Sequence, residues 1–113
     1  MVFGANITLA YERLVTKLTK ENLWLYILRM LSERSMYAYE IKKMLRERFG
    51  FSTATVTVYV VLHRMRTEGL IRTGKEMSVF GRPDRIYYEI TEKGGETLDV
   101  GKKFLQNMLS KLS

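Results

Sequence analysis

The sequence predicts a mainly helical α+β domain carrying one small β-hairpin, and three observations support that class. Apolar residues recur at helical spacing over most of its 113 residues. Beyond Gly69 the period changes to two, around a Gly81-Arg82-Pro83-Asp84 turn. The length gives one hydrophobic core and not two, so residues 1–113 form a single domain.

Within residues 1–18, Ile7, Tyr11, Leu14 and Leu18 fall on one side, with Glu12, Arg13 and Lys17 elsewhere, which predicts an amphipathic N-terminal helix. Residues 20–69 are expected to form a three-helix core. Thr19 is the expected cap of its first helix, with Glu21 in the first turn. From Leu23 to Leu31 that helix is apolar on two sides. Trp24, Ile27, Leu28 and Leu31 make one face, and Leu23, Tyr26 and Met30 the other. A polar connection, Ser32 to Ser35, precedes a helix over Met36–Phe49, closed by Gly50, with Ala38, Ile41, Leu45 and Phe49 inward.

The next segment, Phe51 to Gly69, has two conflicting signals. Its Val and Thr density favours a strand. The spacing of Val58, Leu62 and Met65, with Val61 beside them, favours a helix, expected to be capped near Ser52 or Thr53 and stopped at Gly69. Read as a helix, it shows Thr53, Val56, Thr57, Val60 and Arg64 on its far side, a methyl- and hydroxyl-rich face made for contact. Two helices around a short turn form a helix-turn-helix.

Leu70–Phe80 and Arg85–Ile90 then read as two strands with a basic tip, a hairpin over residues 70–91 that must pack on the helices. Ile86, Tyr88 and Ile90 alternate with Arg85, Tyr87 and Glu89. Thr91 caps a last helix over residues 92–112, with Leu98, Gly101, Leu105, Met108 and Leu112 on one face and Phe104 and Leu109 beside it. Nothing left in the sequence covers that face. Either it folds onto its own core, or Leu98, Leu105, Met108, Leu109 and Leu112 join Ile7, Tyr11 and Leu14 in a homodimer interface, which is the favoured expectation.

Nineteen Lys and Arg against twelve Asp and Glu give a formal charge of +7, which favours a polyanionic partner, double-stranded DNA first. There is no cysteine and only one histidine, so a metal centre is not expected, and neither is a cofactor. No nucleophile–base pair or phosphate loop argues for an enzyme. No stretch approaches the roughly 20 apolar residues of a membrane span. A cytoplasmic, nucleoid-associated protein is expected.

Three local sequences carry a family resemblance. Tyr37-Ala38-Tyr39-Glu40-Ile41 resembles the His-Gly-Tyr-Glu-Ile segment of PadR-family transcriptional regulators. Thr57-Val58-Tyr59-Val60-Val61-Leu62-His63-Arg64-Met65 with Glu68-Gly69-Leu70 is similar to that family's Thr-Leu-Tyr-Pro-x-Leu-x-Arg-Leu and Glu-Gly-Leu segments. Gly81-Arg82-Pro83 followed by Tyr87-Tyr88-Glu89-Ile90-Thr91-Glu92-Lys93-Gly94 resembles its wing. The resemblance covers roughly residues 20–112, and the sequence departs from it at Tyr37-Ala38, at Val60 and in an N-terminal helix longer than the family minimum. It implies a winged helix-turn-helix with extra terminal dimerisation helices. Such a protein is a non-catalytic repressor that binds a palindromic operator as a homodimer. The rival readings are a protein-interaction module and a regulator switched by an aromatic small molecule at the dimer interface.

On that reading Val56 and Val60 contact thymine methyl groups, while Thr53, Thr55 and Thr57 reach phosphates or base edges. The bland alternative is an aggregation-prone strand. Tyr59 stands at the family's DNA-contacting tyrosine, yet it also flanks the core stripe. Arg64 is the leading phosphate or guanine contact, and His63 is a helix-flank residue or phosphate donor. Tyr39 and Lys42 are placed to clamp the backbone, and Glu40 to pair or cap. Lys75, Arg82 and Arg85 belong to the wing and meet the minor groove or flanking phosphates, unless the hairpin is merely solvated. Trp24 and Tyr26 are either core aromatics or, as the resemblance implies, the lining of an aromatic effector site between subunits.

Overall fold

Two strand residues, Met36 and Tyr37, sit where the helical pattern of residues 36–49 begins. In the computed structural model, which describes residues 7–74 and 85–113, they form β1 and pair antiparallel with the wing. The order is α1 (Leu9–Leu18), a short 3-10 turn (Lys20–Asn22), α2 (Leu23–Leu31), β1, α3 (Ala38–Phe49), α4 (Thr55–Thr67), β2 (Ile71–Thr73), β3 (Tyr87–Ile90) and α5 (Glu92–Lys111). The expected two-stranded hairpin is therefore part of a three-stranded sheet ordered β1-β3-β2. Met36 stands opposite Tyr88, and Ile71 opposite Ile90. A third strand satisfies backbone groups that a lone hairpin would leave to water, and it anchors the wing to the start of α3.

The core lies where α2, α3 and α4 meet the sheet. Ile27, Leu28, Ile41, Leu45, Leu62 and Met65 are fully buried there, and Tyr88 and Ile90 pack against it from β3. The expected inward phase of β3 therefore holds. On its other face Tyr87 stacks edge-on against Tyr37, with ring centroids 5.4 Å apart. Arg72 and Glu89 pair across the strands at 2.6 Å.

Several boundaries differ from the sequence expectation. Thr19 does not cap: its hydroxyl donates back to the Val15 carbonyl at 2.6 Å, and α2 starts only after the 3-10 turn. For α4, the residue at the cap position is Ala54, not Ser52 or Thr53, with extended backbone and no side-chain acceptor. Its far end behaves as expected. Gly69 has φ +79, its N–H bonds Arg66 O at 3.0 Å, and Leu70 N–H bonds Met65 O at 2.9 Å. This double closure is the Schellman pattern, and Leu70 and Met65 are both buried beside it.

Thr91 caps α5 as expected, accepting the Gly94 N–H at 3.0 Å, and its hydroxyl donates to Gly69 O at 2.6 Å. One threonine thus joins the end of α4 to the start of α5. Leu98, expected at a dimer interface, is 6% exposed and belongs to the protomer's own core. Past Gly101 every residue of the helix is exposed, and with this projecting end the molecule extends 51 × 28 × 21 Å.

Candidate nucleic-acid interface

The connection between α3 and α4 positions the candidate surface. Gly50 ends α3 with φ +78, a conformation that favours glycine, and its N–H bonds Arg46 O at 3.1 Å. Residues 51–54 turn the chain, and α4 then drives Val58, Leu62 and Met65 into the core. Burial of that stripe overrides the weak helix propensity of the Val and Thr run. The same winding leaves Val56 at 72% and Val60 at 46% exposure, both on the outward face of the helix. His63 and Arg64 are exposed there as well.

The three threonines part ways. Thr55 is exposed, but its hydroxyl accepts Lys42 Nζ at 2.8 Å, so α3 steadies the otherwise uncapped first turn of α4. Thr53 and Thr57 are half-buried. Tyr59 is half-exposed on the wing side of α4, near Tyr88 and Arg66. Partial burial raises the pKa of the Tyr88 phenol above the usual tyrosine value, the Tyr59 phenol adds to the rise, and Arg66 opposes it. Arg66 was not among the expected contacts. Only the packing of β3 beside α4 brings it toward the wing.

Of the expected wing cations, Lys75 and Arg82 lie outside the described residues. Arg85 is described: its guanidinium lies 5.4 Å from the centre of the Tyr37 ring, a stacking contact that holds it beside the start of α3. Tyr39 is 68% exposed at the head of α3. Together with Lys42, Lys43, Arg46, Ser52 and Thr53 it lines a notch of about 160 Å³ at the α3–α4 turn. Lys43, Arg46 and Ser52 were missed as site residues, although Tyr39, Lys42, Lys43 and Arg46 do share a helical face. The sequence pattern contained that face but not the turn packed against it.

Ion pairs separate structural cations from available ones. Arg48 holds Glu33 with two hydrogen bonds, at 2.6 and 3.1 Å, and Arg29 reaches the same carboxylate at 3.1 Å. The Arg48 hydrogen bonds, helped by both positive charges, hold Glu33 below the usual carboxylate pKa. Arg34 pairs with Glu40, whose other oxygen accepts the Tyr37 N–H at 3.2 Å and so caps α3. Among the described residues, no ion pair engages Lys42, Lys43, Arg46, Arg64 or Arg66.

A second concavity, about 740 Å³, runs between α2, α4 and the start of α5, with Trp24, Val56, Val60 and Arg64 in its walls. Trp24 donates to Asn22 Oδ1 at 3.2 Å, and its ring edge comes against Gly101. Tyr26 points the other way. It packs edge-on to Phe49 and Phe51 at 5.0 and 5.2 Å, and its hydroxyl donates to Leu18 O. Residues two apart on a helix face opposite sides, so one protomer does not bring Trp24 and Tyr26 together.

All ten residues of α1 are exposed, Tyr11 and Leu14 among them, and so is Ile7 before it. Leu109 on α5 and Leu112 just beyond it are widely exposed, and Leu105 and Met108 partly so. Among the described residues no cluster of His, Cys, Asp or Glu could hold a metal ion, and no helix is long and apolar enough to cross a membrane.

Residues 27–100 match the model of the transcriptional regulator PadR-like family. A PadR-like regulator from Bacillus cereus is 32% identical; the match covers 82% of this chain and 92% of that one, with a TM-score of 0.64. A PadR-family regulator from Clostridium difficile is also 32% identical over 79% of this chain and 95% of that one, at 0.64. A Streptococcus transcriptional regulator shares 30% identity, covering 86% and 94% of the two chains, at 0.71. No curated protein matches the chain.

Proposed function

The chain belongs to the PadR-like family of transcriptional regulators, which are DNA-binding and not enzymes, and from that premise we propose that it binds a palindromic operator as a homodimeric repressor. The observation that carries the reading is the surface of α3 and α4. Cations that have no carboxylate partner among the described residues flank an exposed Val56, Val60 and Tyr59 on the second helix of a helix-turn-helix. An apolar and hydroxylic helix face fits the major groove, where thymine methyl groups and base edges are accessible. Arg64, and Lys42 once released from Thr55, supply sequence-independent attraction to phosphates. His63 lies on the same exposed side. Arg85, braced on Tyr37 just before β3, adds a cation suited to the flanking phosphates.

The homodimer rests on α1 and on the outer half of α5, whose apolar residues find little cover within one protomer. On a palindromic operator such a pair would present its two copies of α4 to half-sites about 34 Å apart, one turn of B-DNA. An effector site built from Trp24 and Tyr26 has less behind it, because their rings diverge.

Val60→Ala tests the direct-readout part. The substitution keeps the helix and removes two methyl groups from the exposed face. We expect it to weaken binding to a selected operator severalfold while leaving random-sequence DNA unaffected, as measured by fluorescence anisotropy at fixed salt. Equal weakening on both DNAs would count against base contact by this face.

A further inference from the structure

We propose that the notch at the α3–α4 turn is a seat for a single phosphate group, the contact that sets the register of α4 on DNA; this deepens the reading above and rests on it. The notch is lined by Tyr39, Lys42, Lys43, Arg46, Ser52 and Thr53. Its chemistry is one-sided. Three cations, two aliphatic hydroxyls and a phenol surround about 160 Å³, and no carboxylate lines it. Glu40 is engaged by Arg34, and Glu47, one turn beyond Lys43, makes no ion pair with it.

Three like charges about one helical turn apart repel one another; Arg29, Arg34, Arg48 and Arg72 each have a carboxylate that relieves such charge, whereas Arg64 and Arg66 have none among the described residues. The notch cations have no carboxylate either among the described residues, and what sets them apart is convergence: three of them and three hydroxyl groups line one concavity, which an anion from outside would complete. Phosphate fits best, because a tetrahedral oxyanion accepts from lysine, arginine and hydroxyl donors arriving from several directions at once. Lys42 has a position to go to and one to come from, since its ammonium already holds Thr55 at the start of α4. A phosphate in the notch is therefore coupled to the helix that reads the bases. The phosphate comes from the duplex backbone, with a free phosphate anion as the alternative source of the same chemistry.

The test uses the full chain as Lys43→Gln, Arg46→Gln and the double variant, titrated with one random-sequence duplex at several salt concentrations. Both side chains are exposed and form no ion pair among the described residues, so an unchanged thermal transition is expected and serves as the folding control. If both cations hold one phosphate, each single variant loses about 0.9 from the log–log salt slope, and the double variant loses no more. Independent contacts with the duplex field would add, so a loss of about 1.8 in the double variant overturns the single seat. So does an unchanged slope.

Inorganic phosphate titrated against the DNA-free chain separates the sources, read at the Ser52 and Thr53 amides by NMR. Saturable shifts that vanish in the double variant, together with the shared slope loss, support the proposal. The same shifts without a slope loss assign the notch to a free anion and overturn the DNA contact. If the unmodified chain fails to bind duplex at all, the functional reading falls, and the phosphate titration alone then decides the seat.

Discussion

Gly94→Ala is expected to destabilise the domain by about 3 kcal/mol, at the upper end of what one added methyl group costs in a packed site. A Cβ built at Gly94 would lie 2.1 Å from the Leu70 carbonyl oxygen and 2.9 Å from Ile90 Cγ1. The first clash is with backbone that has no freedom to retreat. Leu70 O accepts the Thr91 N–H at 3.1 Å, and Leu70 N–H closes α4 on Met65 O at 2.9 Å. Gly94 is thus the point where the end of α4, the end of β3 and the first turn of α5 come into contact. Its neighbour provides the control, because a Cβ at Gly95 meets nothing within 4 Å. Gly95→Ala should be neutral or stabilise by up to ~1 kcal/mol through helix propensity. Urea unfolding of the two variants checks the pair. A Gly94→Ala protein within about 0.5 kcal/mol of the parent, the usual range for a surface change, would mean that α5 does not dock here.

The second large effect concerns assembly. Leu105→Lys with Met108→Lys should convert a dimer to single chains while leaving the helical content intact. Both residues lie past Gly101, where α5 has left the core, and each is already more than one third exposed in the protomer. Two ammonium groups therefore cost little in one chain but are prohibitive in a desolvated helix pair. Separated half-site readers lose the benefit of a linked second contact, so operator affinity should fall by at least about 10²-fold. Sedimentation velocity and anisotropy together check this. A variant with the parent's mass and affinity would remove α5 from the interface.

The fold was legible where burial imposes a period. Val58, Leu62 and Met65 marked α4 as a helix against its strand-like composition, and the structure buries all three. Thr91 was legible as a cap because its hydroxyl serves a backbone group three residues away. What escaped depends on distant or very short pairings. Met36 and Tyr37 are too few to show a period of two, and their partners Tyr88 and Tyr87 lie far along the chain. The start of α4 was obscured by the hydroxyls of Ser52 and Thr53, whereas Ala54 holds the cap position and Lys42 serves Thr55 from another helix. Leu98 and Leu105 share one continuous stripe, and the sequence does not mark where along it the protomer's core stops. The notch was invisible for a similar reason. Lys43 and Arg46 read as solvated helix charges until the turn carrying Ser52 and Thr53 is folded against them.

The central claim is that α4 of each of two protomers reads DNA, and selection of bound fragments from genomic DNA followed by sequencing tests it most directly. The predicted result is enrichment of a palindrome whose half-sites have centres about 10–10.5 base pairs apart, matching two recognition helices on one face of the duplex. Recovery of unenriched fragments at moderate salt, or of one unpaired half-site, would contradict it.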